Sequence, residues 1–224
     1  MNAQKRSMLK IFSFISETSH GLPLFAGHDE LPLYRKHREL DRFFKCLLLN
    51  KSVMAVLQRL PQLSVEAWLT SGCLVQTAWN VRQGRPAEAG ILDYDLIYYD
   101  PDPSWDREND VIQAVADLFA DLPIRMEIRN QARIPLWYSQ KYAVDYPAVR
   151  QAHHAVLRYP SRTSAIAVTN RKGEYLCYAP FGFRDALSGR VRPNPRLSIR
   201  DVYTKKTDRW VEIWPHLQVE PWHD

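Results

Sequence analysis

Three features of the sequence predict an α+β fold. Apolar residues recur at helical spacing between positions 41 and 60. A strand-turn-helix unit at 67–82 is followed by a further strand, helix and strand, and a hairpin pattern runs from 165 to 178. The 224 residues are 46% hydrophobic and 12% aromatic, enough apolar mass for one core with a smaller appendage and too much for a disordered chain. Residues 1–37, of mixed polarity and without sustained periodicity, read as a partly irregular N-terminal extension, and residues 38–224 as a single domain.

The elements follow in order. Asp41 to Leu49 and Val53 to Leu60 predict two packed helices ending near Pro61. Ala67 to Thr70 is a short strand, Ser71-Gly72 a tight turn, and Cys73 to Arg82 a helix. After a loop at 84–90, the β-branched and aromatic run Ile91 to Tyr99 predicts a strand, broken by Asp100-Pro101-Asp102-Pro103. Val111 to Phe119 presents one apolar helical face, and Ile124 to Ile128 is the next strand. A helix at Tyr146 to Leu157, a hairpin turning at Asn170-Arg171-Lys172-Gly173 and a closing helix at Val202 to Trp214 complete the chain.

Composition limits the functional classes. The formal net charge is +5, with Lys and Arg spread along the chain, which fits a solvated surface or a bias towards phosphate-bearing ligands. Cys46, Cys73 and Cys177 lie far apart and never in a Cys-x-x-Cys spacing, so neither a zinc site nor a disulfide framework is indicated, and a reducing, cytoplasmic setting is expected. Lys5, Arg6 and Lys10 precede a short apolar run that stops at Ser16-Glu17, which is not expected to act as a secretion signal. No stretch approaches the roughly 18–20 apolar residues a membrane span requires, so no membrane partner is expected.

The candidate chemistry is carried by carboxylates. Residues two apart on a strand share a face, with Cα atoms about 6.6 Å apart, so Asp93 and Asp95 point one way and Tyr94 the other. At about 5 Å and an effective dielectric near 20, two such charges repel by roughly 3 kcal/mol, which a divalent cation reverses into attraction. Magnesium suits hard carboxylate oxygens completed by water and substrate phosphates. Solvent-facing alternation on an edge strand is the competing reading of the pair, and a chain with this many Asp contains an Asp-x-Asp by chance. The second one, Asp100-Pro101-Asp102, falls in a proline-broken loop where turn capping explains it. Gly72 permits close backbone approach, and the amides of the helix it opens form an anion site. Glu127, between Met126 and Ile128, is either the third carboxylate or an exposed strand residue.

Gly72 to Trp79, Asp93 to Asp100 and Asn130-Gln131-Ala132-Arg133 are similar to a bacterial nucleotidyltransferase-like family within the DNA polymerase beta nucleotidyltransferase superfamily. So are Ala179 to Phe183, Val191 to Pro195, and Lys206 to Trp210 with Trp214-Pro215. The resemblance covers about residues 39–217. It implies a nucleotidyltransferase-type mixed β-sheet flanked by α-helices, with Asp93 and Asp95 on one strand and Glu127 on a neighbour. Two positions depart from it: Cys73 stands where the superfamily often has Gly or Ser, and Pro135 where this family is expected to have His.

The implied activity is transfer of a nucleoside monophosphate from a nucleoside triphosphate to an acceptor, with release of pyrophosphate. The acceptor class, whether protein, RNA end or small molecule, is open. Asp93, Asp95 and Glu127 are the expected Mg2+ (or Mn2+) ligands and catalytic residues, while Ser71, Gly72, Arg129, Arg133 and Lys206 are the expected nucleotide contacts. Ser71 reads equally as an ordinary turn serine, and Arg129 and Arg133 as partners of local acids. Trp210, four residues beyond Lys206, reads as a base contact or as core, and Trp137 and Trp214 read as core. His153-His154 diverge on a helix and lack a third ligand. The alternative function is a catalytically inactive module binding nucleotide or a partner on the same fold.

Overall fold

Short β-branched and aromatic segments, each too apolar to stand alone, pair into one six-stranded mixed sheet. Its strands are β1 (Phe12–Phe14), β2 (Trp68–Thr70), β3 (Tyr94–Tyr98), β4 (Met126–Asn130), β5 (Ala167–Arg171) and β6 (Glu174–Tyr178), in the order β1-β6-β5-β2-β3-β4. The computed structural model describes residues 12–14 and 33–223, with side chains from 38 onward. β2 lies antiparallel to both β3 and β5, β5 is antiparallel to β6, and β3–β4 and β1–β6 are parallel. The β5–β6 connection turns on Lys172 (φ 50°) and Gly173 (φ 101°), with Asn170 Oδ1 accepting from the Gly173 N–H at 2.7 Å. A two-residue turn with both central φ positive matches the twist of the flanking strands.

The helices follow from their apolar spacing. In α1 (Leu33–Leu47), Leu40, Phe43, Phe44 and Leu47 are buried at i, i+3, i+4 and i+7, a single stripe packed into the helical core, with Phe43 against Phe183. α2 (Lys51–Arg59) is capped by Asn50, whose Oδ1 accepts from Val53 N–H at 2.8 Å while its Nδ2 donates to Thr77 Oγ1 at 2.8 Å. One asparagine thus starts α2 and ties it to α3 (Gly72–Arg82). α3 is buried along most of its length, the signature of a central helix. α4 (Trp105–Leu118) opens on Ser104, whose Oγ accepts from Arg107 N–H. α5 (Ile134–Tyr142), the short α6 (Arg184–Ser188) and α7 (Arg200–Ile213) follow, and a two-stranded ribbon pairs β7 (Arg190–Val191) with β8 (Gln218–Val219).

Alternation along the strands divides the interior in two. Leu69, Leu96, Ile128, Val168 and Cys177 join the large helical core, in which Trp79 meets Trp210 and Trp214 edge-on at centroid distances of 5.2 and 5.6 Å. The opposite face, with Trp68, Ile97, Ala167, Leu176 and Tyr178, is covered by the 3-10 turns at Ala152–Arg158. Burying the two faces fixes the register, because a one-residue slip would exchange them.

Several expectations need correction. The helix expected from Val111 begins at Trp105, because Ser104 caps it. The helix expected at Tyr146 to Leu157 is limited to 3-10 turns from Ala152, and α5 lies just upstream, where none was expected. α1 and β1 take residues from the segment read as an extension, the rest of which lies outside the described residues. Trp210 and Trp214 are fully buried, whereas Trp137, expected in the core, is 36% exposed. The reason is that α5 distributes its apolar residues around the helix instead of along one face. Among the described residues, no helix is long and apolar enough to cross a membrane.

His153 is buried against the rings of Trp68 and Tyr178, and burial first, then the neighbouring His154, lowers its pKa to about 4. The fold holds it neutral while the unfolded chain protonates it near 6.5. This contribution to stability is therefore full above pH 6.5 and is lost as pH falls towards 4, to the extent of on the order of 3 kcal/mol. Urea unfolding of wild type and His153→Gln at pH 7.5 and 4.5 measures it: the wild type is expected to lose more stability than the variant, and equal losses would contradict the assignment.

Candidate active site

The register of β2 and β3 builds the site. Thr70 pairs with Asp95, so the acids of β3 stand beside the point where β2 ends and the chain turns into α3. That turn is made by Ser71 at φ 62° and ψ -123°, a conformation favoured by glycine. Its carbonyl accepts from the N–H groups of Leu74 and Val75, its own N–H donates to Ile166 O, and its Oγ is buried without a hydrogen-bond partner. The strained residue turns the chain sharply and leaves the first amides of α3 at the mouth of the cleft. A Cβ on Gly72 would come within 3.2 Å of Gln76 Nε2, so a side chain here would displace the Gln76 amide by a few tenths of an ångström. Gln76 Oε1 is likewise buried without a partner.

Asp93, just before β3, and Asp95 line a cleft of about 910 Å³ together with Gly72 and Gln76. Burial, and next the charge of Asp93, raise the Asp95 pKa to about 6; Glu127 pushes it the same way, while Lys206 and Arg129 oppose them. Raised above its ordinary value, this carboxyl favours the fold when protonated. The benefit is full below the ordinary Asp range and lost as pH rises through about 6, so the ionised site is destabilising at neutral pH by on the order of 3 kcal/mol. A cation held between the two acids would offset that cost. Two hard, partly buried carboxylates, one just before β3 and one on it, both lining the cleft, are a donor set that fits magnesium or manganese.

The opposite wall is basic. α7 contributes Arg200, Lys205, Lys206 and Arg209 against the single acid Asp201, and the end of α5 contributes Lys141. Burial lowers the Lys206 pKa, while Asp95 and Asp93 pull it back up, so this ammonium group lies in the field of both acids. Its Nζ stands 5.7 Å from the centroid of the buried Trp210 ring. Trp210 therefore anchors the helix beneath Lys206 and is buried away from any base. Arg209 Nε is buried without a partner. Gln76, Lys205, Arg209 and residues 140–143 were not identified from the sequence as site residues. Lys205, Lys206 and Arg209 form a basic cluster within one helical turn, a signal present in the sequence that only the position of α7 makes meaningful.

The remaining predicted residues lie elsewhere around the strands. Glu127 is the register partner of Asp95, but its carboxylate is held by Arg125 at 2.5 Å and Arg129 at 3.8 Å and lines a separate groove beside α4. Among the described residues, no three His, Cys, Asp or Glu side chains stand close enough together to share a metal ion. Arg133 takes the second of the roles its sequence context allows. Its Nε pairs with the buried Glu108 at 2.8 Å, Nη1 donates to Pro103 O, and the guanidinium lies over Trp105. Asn130 donates to Asp100 O and Asp102 O and accepts from Asp100 N–H and Ala132 N–H, so the Asn-Gln-Ala-Arg motif locks the β3–α4 loop to β4. Asp100 and Asp102 accept from the N–H groups of Asp102 and Ser104, the capping role expected for them.

A family model described as nucleotidyltransferase matches residues 58–219. The fold is similar to a solution NMR structure described as revealing a CCA-adding enzyme head domain, with a TM-score of 0.65 and 22% identity over 80% of this chain and 95% of that one. This likeness establishes the nucleotidyltransferase-type sheet flanked by helices. No curated protein matched the chain.

Ser71 combines a strained backbone with an unpartnered buried hydroxyl, each destabilising by about 1–3 kcal/mol. Ser71→Gly is therefore expected to raise the melting temperature of the unliganded protein and Ser71→Ala to raise it less, by differential scanning calorimetry. A loss of stability in Ser71→Gly would show that the turn is not strained.

Proposed function

The chain belongs to the nucleotidyltransferase family, and from that premise we propose that it transfers a nucleoside monophosphate from a nucleoside triphosphate to an acceptor hydroxyl, releasing pyrophosphate. The observation that carries this reading is the division of one cleft into an acidic wall, Asp93 and Asp95, and a basic wall on α7, with a helix N-terminus between them. Asp93 and Asp95 would hold Mg2+ or Mn2+, which when bound supplies charge neutralisation at the reacting phosphate. The Gly72 turn and the amides of α3 receive phosphate oxygens, with Ser71 beside them. Lys206, joined by Lys205 and Arg209, neutralises the departing pyrophosphate. The acceptor oxygen bonds to the α-phosphorus as the bond to the bridging oxygen breaks, and the acceptor proton is released to water. Arg129 remains near enough to Asp95 to act on the same charge, while Arg133 is assigned to the scaffold.

Glu127 divides this reading from a second one. As a third catalytic carboxylate it has to leave Arg125 and turn towards Asp95 when the site fills. A binding module without catalysis keeps the Arg125 pair and has no use for Glu127 in the cleft. The ion pair is partly exposed, so little opposes that movement.

Incubating the protein with Mg2+ or Mn2+, each α-labelled triphosphate and a mixture of RNA, protein and metabolite acceptors tests both readings. The expected result is labelled product with pyrophosphate, lost with chelator and reduced on the order of 100-fold or more in Asp93→Asn and Asp95→Asn. Glu127→Gln is expected to be similarly impaired. Triphosphate binding without product under every condition would favour the binding module.

A further inference from the structure

We propose that the exposed flank of α5 is a track for single-stranded nucleic acid that leads the strand's terminal hydroxyl into the acidic cleft. This names the acceptor and rests on the nucleotidyl-transfer reading above. Trp137 and Lys141, four apart, form one stripe along the helix, and Arg133, the N-cap residue held by Glu108, fixes Trp105 at its start. Exposed rings and the Lys141 ammonium lie together along the stripe. The Arg133 guanidinium lies 5.6 Å from the Trp105 centroid, and Lys141 Nζ stands 5.5 Å from that of Trp137 and 5.3 Å from that of Tyr142. Trp105, Leu136 and Trp137 are 58%, 60% and 36% exposed, three of the large apolar side chains that the described surface leaves in water. Grouped on one helix and joined to Trp105 through Arg133, instead of scattered singly, Leu136 and Trp137 mark a recognition surface.

Charge selects the occupant. Residues 131–144 contain no acidic side chain, and the last turn of α5, Gln140 to Ala143, forms a wall of the cleft that holds Asp93 and Asp95. Bases stack on aromatic faces regardless of sequence while cations beside the rings take the phosphates, the combination that single-stranded nucleic acid requires. The nine residues of α5 extend about 13 Å, room for a few stacked nucleotides. A strand lying along them ends beside the acids, where the terminal oxygen would bond to the α-phosphorus as pyrophosphate departs and its proton passes to water.

Fluorescence anisotropy of a labelled, mixed-sequence single-stranded RNA decamer tests the track, with the matching DNA decamer and an RNA duplex as comparators. Triphosphate binding in the presence of Mn2+ is measured in parallel. Single strands are expected to bind, more weakly as salt rises, and better than the duplex. Trp137→Ala and Lys141→Ala are each expected to weaken that binding about tenfold, and Trp137→Ala, outside the cleft lining, is expected to leave triphosphate binding unchanged. Trp137→Phe should restore much of the affinity, which separates stacking from loss of fold. Triphosphate binding without decamer binding, or decamer binding that neither variant affects, would overturn the track while leaving nucleotidyl transfer in place. Decamer binding without triphosphate binding would retain the track and overturn the transfer reading.

Discussion

Asp93 and Asp95 repel each other, and the strand that carries them allows neither to turn away. β3 is paired on both sides, to β2 and to β4, with its other face committed to the core through Tyr94, Leu96 and Tyr98. Relieving the repulsion by rotating the strand would expose that core, at a cost of roughly 2 kcal/mol or more for each large side chain. The acids therefore stay together, and the surroundings adapt to them. Lys206 approaches from α7, and the Asp95 proton is held more tightly than in water.

The same register brings the Ser71–Gly72 turn beside the acids, so one pairing places both halves of the proposed metal-triphosphate site. Much of the remaining structure holds this arrangement in place. Asn50 joins α2 to α3, and Asn80 accepts from Trp214 Nε1 at 2.7 Å, fixing the end of α7 against α3. Thr70 Oγ1 donates to Ile166 O and bonds the Tyr159 hydroxyl beneath the acids. Asn50 and Asn80 thus orient the helices that bracket the cleft.

The sequence revealed the strand pair, the turn and the acids because each depends on local chemistry: alternation, a small residue between strand and helix, charge within an apolar run. It revealed much less about the opposite wall. Lys205 and Arg209 look like ordinary solvated charges until α7 is packed across the mouth of the cleft. Arg133 has the same forked chemistry whether it meets phosphate or Glu108, and only the fold places Glu108 within 2.8 Å. α5 escaped notice because its apolar residues follow no helical face, and that irregularity leaves Trp137 at the surface. Glu127 stands on the strand beside the acids, as the resemblance implies, but its ion pair with Arg125, two residues away on the same strand face, is fixed only by the fold.

The central claim is that Asp93 and Asp95 share one divalent ion with a triphosphate seated at the Gly72 turn. Crystals grown with Mn2+ and a non-hydrolysable triphosphate, with data collected for anomalous scattering, test it directly. The predicted result is an anomalous peak within coordinating distance of both carboxylates, with phosphate oxygens between the α3 amides and Lys206. A peak at Asp100 and Asp102 instead, or a triphosphate bound away from the turn, would contradict it.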